Sequence, residues 1–248
     1  ISNGTFIFNS PLDGNNPNNS DFIVTTGNTT TFNGDIGSQT ALASLRTTGG
    51  GNTVFNGNVT TTGDQRYSDD VSLSAPDITF EAEGNGSIFF ESTLEGGEEG
   101  SNSVTINAEG VTTFFGAVRE SLALKSLTTD AEGTVEFNGD ITTTGNQTYN
   151  DENVVIQGNG TFTSTGNGSI AFDGDIIASG AVTLTTAGLT SFGTKTAGGD
   201  FTGQDSLIIN GGGRFDLNNG TLSAAMLDIQ DDLDIGDGIG NQATAILN

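Results

Sequence analysis

The sequence contains no cysteine, no histidine and no tryptophan. Without cysteine there is no disulfide, no thiol nucleophile and no thiolate metal ligand. Without histidine, Ser–His and Cys–His catalysis and histidine-rich zinc sites are excluded. We therefore expect no catalytic residues, no resident cofactor and no enzyme activity.

Basic residues are also scarce, since six Lys and Arg face 31 Asp and Glu and give a net charge of −25. A nucleic-acid-binding surface needs a basic footprint, so we expect no nucleic-acid partner. No apolar run approaches the about 18 residues that a membrane span requires, so we expect no membrane insertion. Strong acidity favours solubility and loose association with divalent cations.

In place of these residues the chain has a long internal repeat. The segment 55–71 reappears 82 positions later, and a fixed long period is typical of architectures in which each unit buries its apolar face against its neighbours. The repeated pairs are Phe55 and Phe137, Gln65 and Gln147, Tyr67 and Tyr149, and Asp69 and Asp151. We place copies at about 1–82, 83–164 and, in degenerate form, 165–221. The segment 222–248 is predicted to form divergent terminal coils of the same structure.

Within each copy a shorter pattern places a small residue two positions after a phenylalanine and an aliphatic residue two positions later. Residues at i, i+2 and i+4 share one face of a strand, so this pattern predicts a buried strand with a close backbone approach at its centre. The predicted core phenylalanines are Phe32, Phe55, Phe90, Phe114, Phe137 and Phe172. The predicted tight positions are Gly34, Gly57, Gly116, Gly139 and Gly174.

These observations predict an all-β fold, a right-handed parallel β-helix. The motif phenylalanines Phe8, Phe32, Phe55 and Phe90 follow one another at steps of 24, 23 and 35 positions, and Val71 and Leu73 supply a strand within the longest step. We therefore expect four coils in each copy of the repeat, about 20 residues per coil and about 12 coils in the chain. Glycine and asparagine suit the bends, while threonine and valine suit the strands.

Calcium is the one ligand that the acidic turns suggest. Asp232, Asp234 and Asp237 resemble part of an EF-hand loop, but the spacing is wrong and the glutamate at the twelfth position is missing. We interpret these residues mainly as turn residues and keep them as weak candidates for loosely bound calcium.

Two other functions remain open. A carbohydrate-degrading β-helix would need paired carboxylates with a basic residue, but the six basic residues are scattered over different repeat positions. A surface that orders ice or mineral would need Thr-x-Thr on every coil, whereas the threonine strings at 60–62 and 142–144 recur only once in each copy of the repeat.

The ordered words Thr-Thr-Thr-Gly-Asp/Asn-Gln-x-Tyr-x-Asp, at 60–69 and 142–151, follow Phe-Asn-Gly and Leu-x-Ser-Leu. This combination resembles the repeats of large bacterial exoproteins, the filamentous-haemagglutinin-like and autotransporter-like adhesins. The resemblance covers about residues 1–200. It implies a right-handed parallel β-helix, export to the cell surface and a stalk or fibre role, and it carries no catalytic residues.

We therefore expect an extracellular, structural or adhesive shaft that assembles head-to-tail through like chains or neighbouring repeats. Surface glycans or matrix are the other expected partners, and the alternative is a carbohydrate-binding or carbohydrate-degrading β-helix protein. The chain begins at Ile1, inside a repeat motif, which suggests a fragment or a processed piece.

Overall fold

The computed structural model describes residues 4–16, 19–119, 121–130, 132–193, 199–218, 220–235 and 244–247. It contains strands, numbered β1 to β30 in chain order, and no helix within these ranges. The strands pair in parallel, as in β1 with β3 and β14 with β17. This confirms the predicted parallel β-solenoid. The chain divides into two compact units, Ile1–Lys125 and Ser126–Asn248.

The first unit has three parallel sheets. Sheet A consists of β1 (Phe6–Phe8), β3 (Thr29–Phe32), β5 (Asn52–Phe55), β8 (Asp70–Leu73) and β11 (Leu94–Gly96). Sheet B consists of β6 (Val59–Thr61), β9 (Asp77–Ala82) and β12 (Ser103–Ala108). Sheet C consists of β2 (Asp21–Thr25), β4 (Ser44–Thr48), β7 (Gln65–Tyr67), β10 (Ile88–Phe90) and β13 (Val111–Phe114).

The second unit also has three parallel sheets. Sheet D consists of β14 (Ser126–Thr129), β17 (Gln147–Tyr149), β20 (Ile170–Phe172), β23 (Leu189–Phe192), β26 (Arg214–Leu217) and β29 (Asp232–Ile235). Sheet E consists of β15 (Thr134–Phe137), β18 (Asn153–Ile156), β21 (Asp175–Ala178), β24 (Phe201–Gly203), β27 (Thr221–Ala224) and β30 (Thr244–Leu247). Sheet F consists of β16 (Ile141–Thr143), β19 (Gly160–Ser164), β22 (Val182–Thr185), β25 (Ser206–Asn210) and β28 (Met226–Ile229).

Most coils are longer than the sequence predicted. Paired residues on neighbouring strands are separated by between 18 positions, as in Asn52 and Asp70, and 26 positions, as in Asp77 and Ser103. Separations of 22 to 24 positions are common, as in Gly160 with Val182 and Phe6 with Thr30. The chain therefore forms fewer coils than the expected 12, because most coils contain more than 20 residues.

The expectation of four coils per repeat is also wrong. Phe8, Phe32 and Phe55 are in register on sheet A. Phe90 follows Phe8 by one full repeat, yet it lies on sheet C, in register with Phe114. One repeat therefore covers three coils and about two-thirds of a fourth. Successive copies of one segment occupy different sheets.

The core follows from strict alternation along the strands. Most inward positions carry aromatic or aliphatic side chains, and others carry buried threonine or glutamine. The outward positions between them are polar in most strands. Phe32 and Phe55 stack with ring centroids 5.4 Å apart, close to the spacing of neighbouring strands. The six predicted core phenylalanines are each at most 1% exposed: Phe32, Phe55, Phe90, Phe114, Phe137 and Phe172.

Four of the five glycines at the predicted tight positions lie against the backbone of the preceding coil, namely Gly34, Gly57, Gly116 and Gly174. A Cβ at Gly174 would lie 1.9 Å from the carbonyl oxygen of Asp151, and one at Gly116 would lie 2.4 Å from that of Ser92. Neither glycine has a positive φ. The requirement is therefore steric, since only the smallest residue lets the two coils come so close.

Candidate functional site

A buried carboxylate in the first unit accepts hydrogen bonds from the backbone of a turn of three glycines, residues 49–51, which we call the glycine corner. Gly49 and Gly50 have φ values of 128° and 81°, which other residues rarely adopt. This conformation points the N–H groups of Gly50 and Gly51 at Asp69, whose Oδ1 accepts them at 2.9 and 3.2 Å. Burial raises the pKa of Asp69, and these two hydrogen bonds lower it.

The second unit contains a similar corner near its end. Gly211 and Gly212 have φ values of 122° and 81°, and the N–H of Gly212 donates to Asp231 at 2.9 Å. The side chain is buried, at 9% exposure. This glycine-rich segment is thus a turn that presents a backbone N–H to a buried carboxylate.

Asp151, the repeat counterpart of Asp69, has a different environment. The three positions before its facing strand read Ala131, Glu132 and Gly133, where the first copy has three glycines. The carboxylate is 1% exposed and accepts a hydrogen bond from the Thr129 hydroxyl. Its Oδ1 has no hydrogen-bond partner in the described structure. Burial, with a smaller contribution from nearby Asp130, raises the pKa of Asp151 to about 7.

A polar chain runs through the core beside these corners. The Tyr67 hydroxyl donates to Gln65 Oε1 at 2.7 Å, and Gln65 Nε2 donates to Thr61 Oγ1 at 3.2 Å and to the Glu81 carbonyl at 2.7 Å. Thr61 in turn donates to the Gly63 carbonyl. The buried amide is therefore satisfied, as a polar group away from water must be.

The second copy reproduces this chain with the same partners. Tyr149 donates to Gln147 at 3.1 Å, and Gln147 donates to Thr143 at 3.2 Å and to the Thr163 carbonyl at 2.8 Å. Burial raises the pKa of both tyrosines well above 10. The sequence matches these residues between copies, but their role was not predicted. The signal was the constant spacing of Thr, Gln and Tyr, which together form one hydrogen-bonded group.

Two of the three calcium candidates lie on one strand of the described structure. Asp232 is exposed on β29, in register with Arg214, and Asp234 lies on the same strand in register with Asp216. Asp237 lies outside the described residues. Within the described ranges, no group of three or more acidic, histidine or cysteine side chains is arranged to hold a metal ion.

Two shallow depressions lie on the first unit. The first, about 380 Å³, is lined by Ser74, Pro76, Gly97, Glu98, Ser101 and Asn102. The second, about 470 Å³, contains Glu81 and Glu83 beside Gln39 and Thr40. Among the residues that line them there is no lysine or arginine. Neither combines paired carboxylates with the basic residue that the carbohydrate-degrading alternative requires.

Two of the basic residues that are scattered along the sequence are neighbours in space. Arg46 on β4 and Arg66 on β7 are in register on the outward face of sheet C. Ile23 on β2 is in register with Arg46, and Phe89 on β10 is in register with Arg66. We call these four outward residues the sheet C column.

The sheet C column combines charge with apolar surface. The guanidinium of Arg66 lies 4.6 Å from the centre of the Phe89 ring and forms an ion pair with Glu91. Ile23 is 63% exposed. Within the described part of the chain, Arg46 forms no ion pair, whereas Arg119 pairs with Glu99 at 3.9 Å.

Threonines form a partial array on the outward face of sheet F. Thr142, Thr163 and Thr185 are in register, and Thr161 pairs with Thr183 beside them. The next strand continues the two rows with Asn210 and Ile208. Thr-x-Thr thus occurs on two neighbouring coils and then stops, so the array is shorter than an ice-ordering face would need.

Comparison of the chain with protein-family models, with curated proteins and with solved structures found no match. The resemblance to bacterial adhesin repeats therefore stays a prediction from the sequence words. The described residues include no helix long and apolar enough to span a membrane.

Proposed function

We propose that this chain is part of a rigid, extracellular shaft of a bacterial surface or secreted protein, and that it serves adhesion or fibre formation. The observation that carries the proposal is the core of each unit as far as the structure describes it, where parallel strands enclose rings that contact one another from coil to coil. Phe8, Phe32 and Phe55 stack at 4.9 and 5.4 Å with nearly parallel ring planes.

Stiffness follows from this construction. Neighbouring coils are joined by backbone hydrogen bonds in two or three sheets, and their inward side chains pack against one another. Bending such a stack would separate rings whose centroids are 5.2 and 4.9 Å apart and break ladder hydrogen bonds on one side. A close-packed interior resists this deformation.

The resemblance of the repeated words at 60–69 and 142–151 to exoprotein repeats supports export and a surface location. The net charge of −25 supports a solvated shaft that repels its neighbours sideways. Like chains would then associate through solenoid ends, where unpaired strand edges can template further strands.

Single-molecule force spectroscopy tests the mechanical role. A shaft should resist stretching and then lose coils one by one, each step releasing about 22 residues, or roughly 75 Å of chain. Smooth extension at low force would contradict the proposal.

Antibody labelling of intact cells that make the native protein tests the location, and signal confined to lysed cells would count against it.

Assembly is tested separately by sedimentation over a range of protein concentrations. Head-to-tail association predicts elongated species that lengthen with concentration. Compact dimers or a constant monomer would contradict this part of the proposal and leave the mechanical part standing.

Carbohydrate binding is the second candidate, and the sheet C column is the observation that favours it. Arginine, an aromatic ring and exposed aliphatic surface in one line are the groups that hold the acidic and apolar parts of a sugar.

A further inference from the structure

The sheet C column departs from the repeat at the surface while the layer beneath it does not. The residues 82 positions after Arg46, Arg66 and Phe89 are Thr128, Thr148 and Ala171. These three are also in register, on β14, β17 and β20. The fold therefore accepts small neutral residues at these positions.

The buried neighbours of the column are the same in both copies. The inward residues of β4, β7 and β10 and their counterparts in β14, β17 and β20 are Leu45 and Leu127, Gln65 and Gln147, Tyr67 and Tyr149, Ile88 and Ile170, and Phe90 and Phe172. The arginines and the phenylalanine thus add nothing that the packing of the coils requires. Their presence points to a role at the surface.

Two arginines in register on neighbouring strands repel each other, which destabilises a sheet. Arg66 is partly compensated by Glu91, which also accepts a hydrogen bond from Ser68. Arg46 has no such ion pair within the described residues, and Asp21, on the next strand, accepts the hydroxyl of Ser44 at 2.6 Å. An anion between the two guanidinium groups would remove the repulsion.

The spacing of the residues in the sheet C column indicates which kind of anion fits there. Neighbouring strands are separated by roughly 4.8 Å, which is close to the length of one sugar ring. A chain of sugars lying across the strands would place a carboxylate against the arginines, whose planar groups bind carboxylates with two hydrogen bonds. The C–H faces of its rings would then contact Ile23 or the edge of Phe89.

We propose that the sheet C column of Ile23, Arg46, Arg66 and Phe89 binds a hexuronate unit of a glycan. The inference gives the adhesive role proposed above its ligand class and rests on that role. A densely charged partner such as nucleic acid is disfavoured because the protein carries a net charge of −25. One carboxylate held by two arginines acts at short range, where salt and the remaining charges weaken it least.

Calorimetric titration of the whole chain with a galacturonate trisaccharide, at low salt, tests the proposal. We expect saturable binding by the wild type and at least about tenfold weaker binding of the methyl-esterified trisaccharide, which keeps the rings but loses the charges. No saturable binding, or equal binding of the ester, would overturn it. Equal binding of a glutamate tripeptide would also overturn it, because charge alone would then be sufficient.

The variants come from the chain's own repeat. Arg46→Thr with Arg66→Thr installs the residues of the next copy, so the coils should fold as before and binding should fall by at least about tenfold. Arg214→Thr removes the same type of charge from the second unit, in which Arg214 pairs with Asp216 at 2.6 Å, and should leave binding unchanged. Unaltered binding by the double variant, or equal loss in Arg214→Thr, would refute the site.

The proposed shaft and the proposed glycan site can be rejected separately. Coil-by-coil unfolding under force with no uronate binding would retain the shaft and reject the glycan site. Uronate binding by a chain that extends without resistance would reject the shaft and retain the site as a binding surface.

Discussion

The segments 55–90 and 137–172 share their inward aromatic residues and differ on the outside. Tyr67 and Phe90 lie 5.2 Å apart at 30°, and Tyr149 and Phe172 lie 4.9 Å apart at the same angle. Outside, the first segment carries arginine and phenylalanine where the second carries threonine and alanine. Packing constrains the inward positions, so the outward positions are free to acquire chemistry.

The corners show the same contrast at a buried position. Asp69 accepts two backbone N–H groups, whereas Asp151 accepts one hydroxyl and leaves an oxygen without a partner. A change from glycine to alanine and glutamate, one coil away, accompanies this difference. A carboxylate that both copies share therefore need not have the same charge state in each.

The largest expected effect comes from the shared interior. Phe55→Ala and Phe137→Ala should each lower the free energy of unfolding by about 3–5 kcal/mol, because each removes a fully buried ring and leaves a cavity. Urea unfolding followed by circular dichroism measures the loss. Phe115→Ala, at a position that is 50% exposed, is the matched control and should change little. A small loss of stability in Phe137→Ala with a large loss in Phe55→Ala would show that the two interiors are not equivalent.

The next effect separates the two corners. The pKa of Asp151 is about 7 in the folded chain and near 3.8 in the unfolded one, so the folded state holds the proton more tightly. The stability that this proton provides is complete below about pH 4 and is lost as the pH rises to about 7. The difference corresponds to roughly 4 kcal/mol. Asp151→Asn cannot lose this proton, so its stability should not decline with pH for this reason. Its free energy of unfolding relative to that of the wild type should therefore increase between pH 4 and pH 8.

The matched control is Asp69→Asn, whose pH dependence should differ less from the wild type because two backbone N–H groups hold that carboxylate. Parallel pH curves for Asp151→Asn and the wild type would disprove the raised pKa of Asp151.

Replacing Ala131 and Glu132 with glycine gives the second copy the three glycines of the first copy. If the glycine corner neutralises the carboxylate, this variant should lower the pKa of Asp151, measured by carboxyl NMR shifts.

A smaller effect should be equal in the two copies. Tyr67→Phe and Tyr149→Phe each remove a hydroxyl and leave the glutamine oxygen that accepted it unsatisfied, which costs about 1–3 kcal/mol. The chain has two tyrosines, one in each unit, so each variant leaves one fluorescent reporter. Loss of stability in only one variant would show that the two hydrogen-bonded chains are not equivalent.

The smallest effect is expected on the outside. Arg66→Thr breaks the ion pair with Glu91 at the surface and should change the free energy of unfolding by less than about 1 kcal/mol. Thermal unfolding measures this change. A loss as large as that of a core phenylalanine would show that the sheet C column supports the fold, and would weaken the argument that its residues are there for binding.

Much of the fold was predictable because inward aromatic residues recur at strand spacing. The steps of 24 positions from Phe8 to Phe32 and of 23 positions from Phe32 to Phe55 are the true coil lengths there. The error arose at the longer step from Phe55 to Phe90, which runs from sheet A to sheet C and is not a whole number of coils. The length of the sequence repeat, 82 residues, need not be a whole number of solenoid coils.

The candidate site was less predictable, since its residues meet only through the register. Arg46 and Arg66 are 20 positions apart, and nothing local marks them as neighbours. Gln65 is polar yet completely buried, so the rule that polar residues face water misplaces it. Its hydrogen bonds to Thr61 and to the carbonyl of Glu81 explain the exception.

The amino-acid sequence alone determined the all-β class, the repeat and the buried phenylalanines, because alternation and spacing are local properties of a strand. It also excluded histidine and cysteine chemistry through composition. Only the tertiary structure decided how many residues each coil contains, which arginines are neighbours, and that one carboxylate oxygen of Asp151 has no hydrogen-bond partner. These depend on contacts between residues about one coil apart, and the coils differ so much in length that such contacts cannot be counted along the chain.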